Sequence, residues 1–178
     1  MYPELKIIKI ITVTLLIWAC GKQVQNQNFD QIVKKKEYTA LMFIAPDCPL
    51  CMKLATPFSA LSDSFPNVQF LAVYSGMYYE PMEINMFATE TRLKPPIFRD
   101  YNYEVAHQLN AGITPEFFLL DSNSNVLYQG MLDDRTVIIG TYKQIWNKHY
   151  LSDAITATLA KKPIKVKKTE AVGCVLEY

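Results

Sequence analysis

An α/β fold with a central mixed β-sheet flanked by helices is predicted by three features of the sequence. Two apolar runs, Thr39 to Ala45 (TALMFIA) and Val68 to Tyr74 (VQFLAVY), bracket a helical pattern. Short runs of this kind, without polar alternation, suit strands covered on both faces. A strand, a helix and a strand in this order form a βαβ unit with a parallel pair. The third feature is the run Phe117 to Leu120 (FFLL), then a polar turn at Asp121 to Asn125 (DSNSN) and a return at Val126 to Gly130. That arrangement predicts an antiparallel hairpin on the same sheet.

The helix of the βαβ unit opens at Cys48-Pro49 and continues through Leu54, Phe58 and Leu61. Proline is favourable at the first helical position, because the N–H it lacks would be unpaired there anyway. Pro57 falls inside the pattern and is expected to kink or shorten the helix. Glu83 to Thr91 reads as a second helix, and Ile97-Phe98 as a short strand after Pro95-Pro96. Tyr103 to Asn110 reads as a short helix ended by Ala111-Gly112, and Trp146 to Ala160 as a final amphipathic helix. Lys161 to Lys168 carries five lysines in eight residues and reads as a solvated tail, while Asp133-Asp134-Arg135 reads as a surface turn. His107 and His149 are expected to pack or cap. Tyr74, Tyr78 and Tyr79 follow a strand C-terminus, where they either pack the loop or line a substrate groove.

Length and composition bound the function classes. With 178 residues, 50% hydrophobic and 20% charged, the chain holds one cored domain and is not disordered. Its net charge of +1 provides no basic excess for nucleic acid. Lys6 and Lys9 precede an uncharged run from Ile10 to Trp18, which is too short for the roughly 20 residues of a membrane span. This pattern reads as a secretory signal. Its end, Ile17-Trp18-Ala19-Cys20-Gly21, resembles the lipobox of bacterial lipoproteins, although Trp18 stands where a small residue is usual. The resemblance implies cleavage before Cys20 and acylation of that residue. Residues 1–19 are thus expected to be a lipoprotein signal peptide, 20–37 a lipidated N-terminus with a flexible tether, and 38–178 the domain with its C-terminal helix and tail. Cleavage would remove Glu4, Lys6 and Lys9 and leave a body without net charge. Export would place the domain where disulfides persist.

The chemistry is expected at Cys48-Pro49-Leu50-Cys51, where an apolar strand ends and a helix begins. A sulfur at a helix N-terminus meets free N–H groups and the positive end of the dipole, and both favour a thiolate. Cys48 is therefore the attacking sulfur and Cys51, one turn in, the resolving one. A structural disulfide or half of a zinc site is the competing reading. No spacing supplies the two further ligands zinc would need, and Met52 stands where a c-type haem would require His, so no metal is expected.

A strand, C-x-x-C and a helix in that order resemble the thioredoxin superfamily. The segment Gly112-Ile113-Thr114-Pro115 before Phe117 to Leu120 supports the resemblance. In that superfamily the matching proline is cis and packs against the active disulfide, and the residue before it offers its backbone to a partner chain. Thr114 and Pro115 are expected to take those roles, with Pro49 and Leu50 also positioning substrate. Ala45-Pro46-Asp47 before the C-x-x-C, Ile113 to Glu116, His149-Tyr150-Leu151 and Ala171-Val172-Gly173-Cys174 together resemble the exported bacterial redoxin-domain proteins, AhpC/TSA-like and TlpA-like, of thioredoxin-like fold. Two positions depart from the pattern. Met42 replaces the buried Asp of thioredoxin, and Asp47 replaces the Trp before the first Cys, where its charge is expected to raise the Cys48 pKa. Leu41 and Ala45 stand where a peroxidatic motif would have Pro and a hydroxyl residue.

The resemblance implies a membrane-anchored thiol–disulfide oxidoreductase in a bacterial cell envelope. It would act on exported proteins with thiols or disulfides, served by an upstream thiol reductant or oxidant, with no cofactor beyond a redox-active Cys48–Cys51 disulfide. A hydroperoxide reductase, a non-catalytic binding module and a copper-delivery protein are the rival readings. Cys174 is either a third redox thiol or a small buried hydrophobe.

Overall fold

The computed structural model describes residues 28–136 and 141–176. The predicted signal, Cys20 and most of the expected tether lie outside them. Among the described residues, no helix is long and apolar enough to cross a membrane.

The sheet is built as the apolar runs require. β1 (Tyr38–Phe43) lies at its centre, parallel to β2 (Gln69–Ser75) and antiparallel to β5 (Glu116–Asp121). β3 (Ile97–Asp100) extends the parallel side and β6 (Val126–Gly130) the antiparallel side, giving the order β3-β2-β1-β5-β6. All six β1 residues are buried. Because side chains alternate across a sheet, Ala40 and Met42 join one core cluster and Leu41 and Phe43 the other. On the first face, α2 (Pro49–Ser64), α3 (Pro81–Glu90) and α5 (Tyr150–Leu159) contribute Leu54, Phe58, Phe87 and Ile155. On the second, α1 (Phe29–Val33) and α4 (Glu104–Leu109) contribute Ile32, Val33, Val105 and Leu109. Each such side chain stabilises the fold by about 1.5–3 kcal/mol.

Six expectations are corrected. α2 runs through Pro57 for 16 residues without ending, because Leu54, Ala55, Phe58 and Ser59 are buried on both sides of it. The ordered domain begins before Tyr38: Phe29, Ile32 and Val33 pack into the second core, so residues 29–33 are a helix and not tether. Helix α5 starts at Tyr150 rather than Trp146, and in the segment before it the Asp134 carboxylate accepts from the backbone N–H groups of Asn147 (3.1 Å) and Lys148 (2.9 Å). His149 is exposed before α5 and makes no side-chain cap. Asp133-Asp134-Arg135 is a packed junction and not a surface turn: Arg135 forks onto the buried Asp133 carboxylate and lies 4.2 Å over the Trp146 ring.

The sixth correction concerns the lysine-rich segment. Its side chains remain largely in water, but its backbone is docked. β6 is an edge strand whose free N–H and C=O groups invite pairing. Gln129 N–H donates to the Lys167 carbonyl (3.0 Å), and Thr169 N–H donates to the Gln129 carbonyl (3.0 Å). The Thr169 hydroxyl accepts from Met131 N–H (2.8 Å) and bonds the buried Tyr128 hydroxyl (2.9 Å). Lys161 anchors the start of the segment to Glu37 and to the Tyr38 hydroxyl. The chain then returns to the sheet's end, where β7 (Cys174–Val175) pairs antiparallel with β4 (Ile113–Thr114).

Gly130 makes this docking possible. Its φ is +136°, and a Cβ there would stand 2.1 Å from the Thr169 hydroxyl oxygen and 2.4 Å from the Thr169 carbonyl. Gly130→Ala is therefore expected to lower the unfolding free energy by about 1–3 kcal/mol. Urea denaturation checks this through a lower midpoint at unchanged slope; an unchanged midpoint contradicts the docking.

Candidate active site

Cys48 is the N-cap of α2, with extended backbone (φ −81°, ψ 114°) and Pro49 in the first turn. Its side chain therefore sits at the end of the helix where N–H groups are free. Cys51 lies one turn in, its Sγ accepting from Ala45 N–H at 3.4 Å. Both sulfurs are reduced and buried.

Across the gap, the Thr114–Pro115 bond is cis, as the resemblance implied. The Thr114 carbonyl lies 3.1 Å from Cys48 Sγ and accepts from it while Cys48 is a thiol. That bond favours the protonated form, but the donors facing Cys48 outweigh it. The Cys51 thiol, the Cys174 thiol and the backbone N–H groups of Cys51 and Leu50 bring the Cys48 pKa down to about 5, against the opposing cost of burial. Burial and the adjacent Cys48 charge push Cys51 well up. The site thus holds one thiolate and one thiol at neutral pH, as exchange chemistry requires.

Cys174 belongs to this centre. Its Sγ lies 2.9 Å from Cys48 Sγ, carried there by the β4–β7 pair, in which Cys174 stands opposite Thr114. Gly173 permits the approach: a Cβ there would lie 2.1 Å from the Thr114 carbonyl oxygen. Of the three thiols only Cys174 is exposed, and its pKa is pushed up to about 11 by partial burial and by the Cys48 charge. The reading of Cys174 as a small buried hydrophobe is thereby overturned. The sequence signal was the Gly-Cys dipeptide, whose place in space depends on the docking of the lysine-rich segment.

The remaining predicted positions divide. Thr114 and Pro115 are buried against the thiols, and Pro49 is exposed at the rim. Leu50 is buried: it packs into the core from the first turn of α2. Asp47 is corrected. Its carboxylate, with burial as the larger cause, raises the Tyr79 hydroxyl, and its charge helps raise Cys174, while Cys48 remains low. Sequence reasoning missed this Asp47–Tyr79 pair. Tyr79 also packs against Tyr74 and Tyr78, with ring centroids 5.9 and 4.9 Å away; Tyr74 is buried and Tyr78 is exposed.

Fold and site together define a thioredoxin-like protein, and the comparisons agree. The family model described as a thioredoxin-like domain matches residues 25–146, so the chain belongs to that family. The match ends before α5, the lysine-rich segment and Cys174. An uncharacterized conserved protein from Geobacillus kaustophilus shares the fold with a TM-score of 0.72 and 26% identity, covering 83% of this chain and 80% of that one. A secreted Mycobacterium tuberculosis disulfide oxidoreductase homologous to DsbE of E. coli superposes with a TM-score of 0.50 at 16% identity, covering 68% of this chain and 81% of its own. Mouse protein disulfide-isomerase A5 is 32% identical over 78 residues, which are 44% of this chain and 15% of that protein.

Thiolate absorbance against pH should show a transition near 5 that Cys48→Ser removes. Cys174→Ala should move it up by about one pH unit, the worth of one hydrogen bond to a charged sulfur. The folded Cys48 pKa lies below its ordinary value of 9.0, so its contribution to the stability of the reduced protein is full above about 9 and is lost as pH falls towards 5. Chemical denaturation across that range, compared with Cys48→Ala, checks the sign.

Proposed function

We propose that this protein is a thiol–disulfide oxidoreductase of a bacterial cell envelope, lipid-anchored through Cys20 and working through Cys48 and Cys51 on exported proteins. The observation that carries the reading is the Cys48 sulfur at the head of α2, one turn from Cys51 and 3.1 Å from the carbonyl of the cis Thr114–Pro115 bond, in surroundings that lower its pKa. In the reducing direction, the Cys48 thiolate attacks a sulfur of a partner disulfide, and the partner's second sulfur leaves. Charge on Cys48 then disappears, which removes one of the causes that keep Cys51 protonated. Cys51 loses its proton and attacks Cys48 Sγ, and the partner leaves reduced. Every step is reversible.

Stabilising the reduced thiolate favours release of the disulfide, so the Cys48–Cys51 pair is an oxidant relative to thioredoxin. Titration against glutathione should give a potential less negative than roughly −200 mV, where thioredoxin lies near about −270 mV. Cys48→Ser should abolish both insulin-type disulfide reduction and thiol oxidation. Wild-type protein without turnover in either assay contradicts the reading and favours a binding module.

The lipobox-like segment supports the anchor, and a neutral body provides no charge-driven alternative. In a bacterial host, Cys20→Ala should lose fatty-acid labelling and move from the membrane to the soluble fraction. Retention of both in the variant rules out Cys20 as the anchor.

A further inference from the structure

Cys48 is fully buried although it is the nucleophile, and the group that covers it is another thiol. β7 occupies the free edge of β4, so the chain's own Cys174 stands 2.9 Å from Cys48 Sγ, across a gap about 0.9 Å longer than a disulfide bond of ~2.05 Å. Three hydrogen-bonding arrangements fix that strand: the β4–β7 pair, Leu176 N–H on the Gly112 carbonyl at 2.9 Å, and the docking of Lys167 and Thr169 on β6. We infer that Cys174 is a third redox thiol of the same centre, exchanging reversibly with the Cys48–Cys51 disulfide and presenting to external thiols the sulfur at which the exchange leaves the protein. The inference rests on the oxidoreductase reading above.

The relay balances with external thiols as the only co-reactant. Cys174 gives its proton to solvent and attacks Cys48 Sγ of the Cys48–Cys51 disulfide. The Cys48–Cys51 bond breaks, the Cys48–Cys174 bond forms, and Cys51 takes a proton as a thiol. A first external thiolate attacks the exposed Cys174 Sγ and expels the Cys48 thiolate. A second external thiolate then attacks the external sulfur of that mixed disulfide and expels Cys174, which is reprotonated. Two external thiols have become one disulfide, two electrons have entered the Cys48–Cys51 pair, and one proton is released because Cys48 remains ionised. Attack at Cys174 is favoured on two counts. It is the accessible sulfur, and Cys48, whose charge is favoured by the Cys51 thiol and the backbone N–H groups of Cys51 and Leu50, is the better leaving group.

The test equilibrates the full-length chain with glutathione disulfide, quenches it in acid and maps the cysteines by alkylation and mass spectrometry. In Cys51→Ala the expected product is an internal Cys48–Cys174 disulfide without a glutathione adduct. Adding Gly173→Ala, which forces β7 off the Thr114 carbonyl, should replace it with glutathionylated Cys48. Cys174→Ser keeps β7 in place, and its Cys48–Cys51 disulfide should be reduced by glutathione at least tenfold more slowly than wild type. Glutathione on Cys48 with Cys174 free to alkylate in Cys51→Ala, or an unchanged or faster rate in Cys174→Ser, overturns the relay while wild-type turnover stands. Absence of any Cys48–Cys51 disulfide and of turnover in wild type overturns the oxidoreductase reading itself. If Cys51→Ala fails to fold, the Cys174→Ser rate decides.

Discussion

The site depends on one constraint: a sulfur placed where α2 begins is held in surroundings that favour its charged form. Free N–H groups at the helix end and thiol donors from Cys51 and Cys174 together exceed the cost of burying that charge. The rest of the architecture serves the placement. β1 must be buried on both faces to hold the start of α2 rigidly, and β5 must run antiparallel to β1 to bring Pro115 opposite the thiols. Because burial penalises all charges, Cys48 is lowered while Cys51 and Cys174 beside it are raised.

The C-terminal segment changes the character of the site. In a thioredoxin-like domain that ended at α5, the edge of β4 and the Cys48 sulfur would face outward. Here both are covered by a strand from the same chain. That cover is held by backbone pairing and by the Thr169–Tyr128–Met131 knot, while its lysines stay in water. A run of five lysines in eight residues reads as a solvated tail because the side chains are indeed solvated. The information that the backbone docks lies in β6, an edge strand some forty residues earlier in the chain.

The same division explains the other corrections. Pro57 has the local signature of a helix end, but burial of Phe58 and Leu54 across it outweighs one missing hydrogen bond. Trp146 fits the amphipathic pattern of α5, but its ring lies under Arg135 and the next two backbone N–H groups are held by the Asp134 carboxylate, in a segment that precedes the helix. Asp47 stands beside Cys48 in sequence, but its charge is spent on Tyr79 and Cys174. In the last two cases a residue distant along the chain engages a group that the local pattern had assigned elsewhere.

Sequence alone determined the sheet, the helix that opens at Cys48-Pro49, the placement of Cys48 and Cys51 at its head and the Thr114-Pro115 pair. Each rests on a local signal: an uninterrupted apolar run, a helix N-terminus, or a motif of fixed spacing. Tertiary structure alone decided that α1 belongs to the domain, that Leu50 faces the core, that Asp133 and Arg135 are packed together, and that Cys174 lies against Cys48. The physical reason is that these outcomes depend on which backbone edges and buried faces meet. A glycine before a cysteine in a lysine-rich C-terminal region carries no local energy that points to a helix end more than a hundred residues away.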